Sequence, residues 1–392
     1  MHPKDLVTQT FQSRFGRPPA HVALAPARVN LLGEHVDYND GFVMPAAIDR
    51  ATYVAFSPSG GQQSTLLAVD FSEEVTFTAQ SIQTKTDAYG TLLPEWARYP
   101  AGVQWALQEA GLDAPEIQAV YASDVPRGAG LSSSASVEMA FAVAWQSLSG
   151  WELPPMRRAL LGQKAENEYV GVKCGIMDQF ASACGLADHL LLLDCRSLEW
   201  RVLPIPPQVA IVIADTSVRR KLTASGYNER RQACEDAVAV LSRDLPGIRA
   251  LRDVSLADFN RLCGRLPTLV EKRARHVVEE IERSRQAVGL LERGDVASFG
   301  RLMNACHASL RDLYEVSTPE LDAMVEIAQG LPGCLGARLT GAGFGGCTVN
   351  LVEKTAAGAF AASLAEGFTR STGLTPEIYI CRAADGASVL TN

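Results

Sequence analysis

From Ile117 to Ser123 the run IQAVYAS alternates as a strand does, a turn DVPRGAG follows, and SSSASVEMAFAVAWQSLSG then carries apolar residues around most of a helical circumference. A helix that is apolar on nearly every side must lie in the core, and a strand feeding it through glycines places the pair against a sheet. The flanking segments agree. HVALAPARVNLL and FVMPAAIDRATYVAFSP have the β-branched and alternating residues of strands, while EWARYPAGVQWALQEAG has helical spacing. The chain is therefore expected to be a mixed α/β protein.

With 392 residues and 47% hydrophobic content, the chain suits two domains better than one, with a cleft between them. LPIPP, at residues 203–207, breaks the pattern ahead of VAIVIAD, a near-continuous apolar strand ending in Asp215. This predicts an N-terminal α/β domain over residues 1–205 and a C-terminal α/β domain over 206–392. Helices dominate the second part, among them ARHVVEEIERSRQAVGLLERG, VASFGRLMNACHASLRDLYEVS and one capped by Thr318 with Pro319 at its first position. A late strand, ARLTGAGFGGCTVNLVEK, carries a second glycine cluster, Thr340 to Gly346. Taken alone, that cluster reads as a strand bulge or a hairpin.

A formal net charge of −8 argues against a protein that holds nucleic acid, which needs clustered Lys and Arg. No run of eighteen apolar residues occurs, and MHPKDLVTQTFQSRFGR has no apolar signal core, so a soluble cytoplasmic protein is expected. The 9 cysteines contain no C-x-x-C pair and read as reduced, mostly buried small hydrophobes.

Chemistry concentrates in three places. GAGLSSSAS, Gly128 to Ser136, stands between a strand and a buried helix, where backbone N–H groups of the loop and first helical turn can converge on an anion. It is neither a Walker loop, having no G-K-[ST], nor the dinucleotide fingerprint, whose third glycine is missing, and protein-kinase H-R-D and D-F-G landmarks are absent. The plainer reading is a serine-rich helix cap. GEHVDYNDG, Gly33 to Gly41, sets Glu34, His35 and Asp37 between two apolar runs: a polar turn, a divalent metal site, or a surface for a hydroxyl-rich ligand. No H-E-x-x-H or distant Cys/His pair completes a zinc site.

Asp178 lies among Ile176, Met177 and Phe180 and is either a helix cap or a base. Phosphoryl transfer to an alcohol calls for a carboxylate beside the attacking hydroxyl and a cation to hold it ionised, a place that Arg28 can take. Magnesium carried with ATP needs one or two protein oxygens, which a loop serine and Glu166 supply, unless Glu166 is only a solvated helix residue.

PARVNLLGEHVDYNDGFVMP, GAGLSSSAS and LTGAGFGGCTVNL, supported by KCGIMDQF and GYNERRQAC, together resemble the motifs of the GHMP family of sugar and small-metabolite kinases over essentially the whole chain. The first motif is similar to that of the family's galactose-specific branch. The resemblance implies the two-domain GHMP kinase fold with the active site in the interdomain cleft, and transfer of phosphate from ATP, with Mg2+, to the C1 hydroxyl of α-D-galactose. It implies Asp178 as base and Arg28 as its electrostatic partner; Glu34, His35, Val36, Asp37, Gly175, Asp178 and Tyr227 as sugar positions; and Ser134, with Ser133 as alternative, and Glu166 as magnesium positions. On the nucleotide side it implies Gly128, Ala129, Gly130, Leu131, Ser132, Ser133 and Ser134 as the phosphate loop, Trp96 and Tyr99 as adenine-pocket walls, Arg219 as a phosphate-side cation and Ser72 as a further contact.

Val36 departs from the family's usual Thr, and Ala129 and Ala342 stand where a second Gly is frequent. The partners expected are small molecules, galactose and ATP, with no nucleic acid or membrane, for a monomer. Two competing functions fit much of the same pattern: a kinase for a related sugar such as N-acetylgalactosamine, and a galactose-sensing regulator that has lost catalysis.

Overall fold

The computed structural model describes residues 1–219 and 223–390, with the side chains of residues 223–225 left aside. A six-stranded sheet organises the first half, in the order Ser388–Leu390, His21–Asn30, Pro45–Pro58, Ile117–Ser123, Ser64–Ala68, Glu73–Phe77. All of its pairs are antiparallel except Ser64–Ala68 with Ile117–Ser123. Both faces are covered. Helix Pro3–Phe15 packs Val7 and Phe11 onto Val22, Ala55, Val120 and Ala122, while the opposite face, with Ala23, Val54, Phe56 and Ala119, belongs to the main core. Helix Ser133–Ser149 lies against the strands His21–Asn30 and Pro45–Pro58, with Met139 to Trp145 all buried, as its all-round apolar pattern requires.

The second half is built on a four-stranded antiparallel sheet, in the order Cys334–Leu339, Cys347–Glu353, Val209–Asp215, Glu377–Cys381. Val209–Asp215 is apolar at almost every position because each face meets helices: Val212 and Ala214 pack with Met324, Phe360 and Phe368, and Ile211 and Ile213 join the main core. A small sheet, Phe42–Val43, His189–Asp194, Trp200–Pro204, leads into the proline-rich link at 205–208. The chain's last described strand, Ser388–Leu390, returns to pair with His21–Asn30, so the end of the second half closes the sheet of the first.

Of the two readings open for the late glycine cluster, a strand bulge or a hairpin, the structure has the hairpin. Cys334–Leu339 and Cys347–Glu353 pair antiparallel, and the turn between them places Gly341, Gly343, Phe344, Gly345 and Gly346 in the left-handed region, which continuous strand backbone does not allow. That turn docks on the first glycine loop backbone to backbone. A Cβ on Gly341 would stand 2.6 Å from the Gly130 carbonyl oxygen, and Cys347 N–H donates to the Ala129 carbonyl at 3.0 Å.

Candidate active site

Helix Met177–Cys184 begins after Ile176, which gives no side-chain cap, and Asp178 in its first turn does not cap it either. Its Oδ1 accepts two bonds from Arg28, Nε at 2.9 Å and Nη2 at 2.7 Å. Arg28 is nearly fully buried in the strand His21–Asn30, and its Nη1 donates to the Gly130 carbonyl at 2.6 Å. One guanidinium thus ties the carboxylate to the glycine loop.

Asp178 and Arg28 line a cavity of about 280 Å³ together with Glu34, His35, Asp37, Tyr99, Glu166, Gly175, Tyr227 and, from the hairpin turn, Gly341 and Ala342. Residues 150 positions apart in sequence, and both halves of the chain, meet here. Asp37 needs Gly175: a Cβ there would lie 2.0 Å from its Oδ2. Burial, with Asp178 and Glu34 nearby, pushes Asp37 up to about 7. His35 is pushed down to about 3, mainly by burial, so it is neutral. Its Nε2 faces the Ala342 carbonyl at 3.2 Å and its Nδ1 the Tyr38 hydroxyl at 2.8 Å. A carbonyl only accepts, so Nε2 carries the proton and Nδ1 accepts from Tyr38, which in turn meets Tyr314 at 2.8 Å.

Val36 is not part of this wall. It is fully buried and so close to Gly41 that a Cβ on that glycine would lie 2.7 Å from its own, which turns the side chain into the core. Its place between two pocket residues reflects the turn at His35, whose φ of 61° breaks the regular alternation of side chains.

A second cavity, of about 120 Å³, adjoins through Tyr99, which lines both. Its walls are Asp70, Phe71, Trp96, Tyr99, Tyr121, Ser123, Arg127, Ser133, Ser134 and Val137. Trp96 stacks on Phe71 at 6.1 Å and 18°, and its Nε1 donates to Glu73 at 2.6 Å. Ser72 does not line it; its neighbour Phe71 does, and Ser72 forms the left-handed end of the short turn Val69–Phe71. Arg219 stands at the entry to the glycine loop, its Cδ 3.3 Å from where a Gly128 Cβ would be, and its guanidinium binds both oxygens of Asp215 at 2.7 and 2.5 Å.

Gly128, Gly130 and Ser132 take left-handed conformations that alternate with Ala129 and Leu131, a backbone pattern that turns N–H groups into an anion-binding concavity. Ala129 and Leu131 bury their side chains and contribute backbone alone. Ser132 makes no cap bond to the helix it precedes, and its buried Oγ lacks a partner among the described residues, which removes the plain capping reading.

Glu166 sits in the π-helical turn Ala165–Val170, a geometry frequent at functional sites. Ser134 lies close enough to act on its carboxyl, opposing the rise that burial causes, and Gln179 Nε2 bridges Glu166 (2.6 Å) to Glu138 (2.9 Å). Burial first, then Asp178, pushes Glu166 up to about 7, and burial likewise pushes Glu138 up. Buried carboxylates beside a loop hydroxyl, with Glu138 Oε1 unpartnered among the described residues, fit a divalent cation held partly by phosphate oxygens. No cluster of three or more His, Cys, Asp or Glu suited to a metal occurs among the described residues, so Glu34, His35 and Asp37 do not form a protein cage.

Sequence reasoning missed Arg338, Glu280, Phe71, Asp70 and Glu138. For Arg338 and Glu138 a signal was available: each is a charge set within an otherwise buried element, beside a glycine motif.

A half-buried carboxylate held by a buried guanidinium beside a glycine loop, in a cleft between two α/β halves, fits a small-molecule phosphotransferase of the GHMP kinase class. Models of the GHMP kinase N-terminal and C-terminal domains match residues 98–186 and 287–370, and a galactokinase galactose-binding signature matches residues 9–58. The chain belongs to the galactokinase family. It is 50% identical over 378 residues to the galactokinase of Roseiflexus sp. (strain RS-1), covering 96% of this chain and 95% of that one, and 44% identical to that of Chloroflexus aurantiacus over the same shares. Its structure matches Lactococcus lactis galactokinase complexed with galactose with a TM-score of 0.92, at 33% identity and 98% of each chain. A mevalonate kinase matches at TM-score 0.61 and 20% identity, over 92% of this chain and 98% of that one, and shares the fold.

Proposed function

We propose that this chain transfers the γ-phosphoryl group of ATP to the C1 hydroxyl of α-D-galactose, giving α-D-galactose 1-phosphate and ADP. The observation that carries the reading is the Arg28 bridge between Asp178 and the Gly130 carbonyl, because it sets an acceptor carboxylate and a phosphate-binding loop on opposite sides of one cation. The larger cavity takes the sugar, with Glu34, Asp37 and Tyr227 offering polar groups to its hydroxyls and Gly175 keeping Asp37 in place. The smaller cavity takes the adenine against Trp96 and Tyr99, and residues 128–134 take the phosphates.

In the reaction the C1 oxygen attacks the γ-phosphorus, its proton passes to Asp178, the new P–O bond forms and the bond to the β-phosphate oxygen breaks. Oδ1 of Asp178 is occupied by Arg28, so Oδ2 is the oxygen left for the hydroxyl. Arg28, a guanidinium, holds Oδ1 of Asp178 in place and offsets charge on the transferring group. Ser134 and Glu166 would hold Mg2+, which when bound neutralises phosphate charge.

The reading extends to domains at residues 1–205 and 206–392, and to a cytoplasmic monomer without nucleic-acid or membrane partners. No helix among the described residues is long and apolar enough to cross a membrane. The test is ADP release by the purified protein with magnesium and ATP, offered galactose, N-acetylgalactosamine, glucose and mevalonate. Turnover of galactose above the others is expected. Turnover of N-acetylgalactosamine in its place, or galactose binding without turnover, would overturn the reading.

A further inference from the structure

The sugar-side turn is held from behind by residues of the second half that do not line the cavity. Glu280, in helix Thr268–Glu292, accepts from the N–H groups of Gly33 at 2.8 Å and Glu34 at 3.3 Å, and pairs with Arg283 at 2.7 Å. His276, one turn earlier, meets the Glu34 carbonyl at 3.2 Å through Nε2, while Nδ1 meets the Ser309 hydroxyl. The backbone of Glu34 is therefore fixed at both its N–H and its C=O. Its side chain is fixed separately.

Arg338, fully buried at the end of strand Cys334–Leu339, forms an ion pair with Glu34 Oε2. The same oxygen accepts the N–H of Gly341 at 3.2 Å. Arg338 Nε donates to the Leu339 carbonyl at 2.6 Å, and Nη1 has no hydrogen-bond partner among the described residues. A fully buried guanidinium with an unsatisfied nitrogen is an unfavourable way to stabilise a fold, since apolar residues of equal volume do as well or better. What it does secure is the state of its partner. On balance the Glu34 carboxyl lies above its ordinary range, because burial, the largest influence, favours the neutral form; Arg338 is the largest influence opposing that rise and limits it. A neutral Glu34 would donate as well as accept, and would no longer choose between sugar hydroxyls by acceptance alone.

We propose that Arg338 is the positioning residue of the sugar site: it keeps Glu34 an oriented carboxylate with Oε1 toward the cavity, and so sets which hydroxyl of the sugar the cleft requires. Arg338 acts through Glu34 and touches neither sugar nor nucleotide. This inference rests on the sugar-kinase reading of the same cavity.

The test compares wild type with Arg338→Met, Arg338→Lys, Glu34→Gln and the double variant Glu34→Gln/Arg338→Met. Steady-state kinetics and calorimetric binding are measured with galactose and its monodeoxy analogues. Arg338→Met is expected to raise galactose KM at least about tenfold, roughly 1.4 kcal/mol, with ATP KM unchanged and kcat less affected. The analogue whose missing hydroxyl costs wild type most should cost Glu34→Gln and Arg338→Met alike little further. The double variant should bind galactose no worse than Glu34→Gln, because coupled residues are not additive. Arg338→Lys, which keeps the charge and loses the planar fork, should fall between.

An unchanged galactose KM with a lowered Tm, galactose and ATP KM rising together, loss of discrimination at different hydroxyls in the two single variants, or an additive double variant would each overturn the inference. Should Arg338→Met fail to fold, the lysine and double variants decide the same question. If wild type phosphorylates another sugar instead, the galactose reading falls and the same comparisons on that sugar decide the role of Arg338. If wild type binds no sugar, both fall.

Discussion

The two ends of the cleft are built on opposite plans. At the end we propose for the sugar, Glu34 is paired with Arg338, Asp178 with Arg28, and both nitrogens of His35 have partners, with lining contributed by both halves. At the end proposed for the nucleotide the walls all fall between residues 70 and 137, and four of them are aromatic: Phe71, Trp96, Tyr99 and Tyr121. A hexose differs from its epimers only in where hydroxyls point, so recognition demands polar groups that cannot move. An adenine offers a flat apolar face and a phosphate chain, for which stacking and a concave backbone suffice.

The largest effect expected is at the point where the ends meet. Asp178→Asn should lower kcat by about 10²–10⁴-fold, the range of a general base, while calorimetry shows galactose still bound. Wild-type turnover would remove Asp178 from the reaction. Next, Gly175→Ala forces Asp37 from its place, and displacements of this kind cost about a hundredfold. The loss should fall on kcat/KM for galactose with ATP KM unchanged; a loss shared by both substrates would blur the contrast between the two ends. Trp96→Ala should do the reverse, raising ATP KM by roughly tenfold, since base stacking on an aromatic is worth about 1–3 kcal/mol. Galactose binding measured without nucleotide should not change.

The polar end also predicts a pH dependence. Asp37 keeps its proton up to about pH 7 in the folded chain, whereas an unfolded Asp releases it near about pH 4. Folding therefore takes up a proton between these values, and the stabilisation, complete below the unfolded value, is lost as pH rises through the folded one. Thermal melts of the ligand-free protein should show a lower Tm at about pH 8 than at about pH 5, and Asp37→Asn should reduce that difference in part, since Glu166, also raised to about 7, contributes with the same sign. The smallest effect on function is expected from Val36→Thr. A hydroxyl placed against Gly41 in the core lowers Tm at a cost of about 1–3 kcal/mol and leaves galactose KM as it was; a changed KM would return residue 36 to the pocket wall.

Much of the fold is legible in the sequence because periodicity reports which faces are buried. The alternation in IQAVYAS and the all-round apolar helix after it locate the sheet and its core helix, and the unbroken run VAIVIAD marks a strand covered on both faces. At residues 334–353 the sequence leaves a strand bulge and a hairpin both open, because the flanking residues favour strand on both sides and the left-handed backbone that makes the turn is seen only in the structure. In the site, residue types point to Glu34, Asp37 and Asp178. They do not separate Val36 from its neighbours, since one left-handed residue, His35, changes which side chains face the cavity.

By itself, then, the order of residues determined the local elements, the glycine loop between strand and helix, and the set of groups able to carry phosphoryl transfer, because spacing and residue type act over a few positions. The partnerships were decided only by tertiary structure. Arg28 with Asp178 and Arg338 with Glu34 join residues 150 and 304 positions apart. Which cation each carboxylate meets depends on how the elements pack, and no local pattern records that distance.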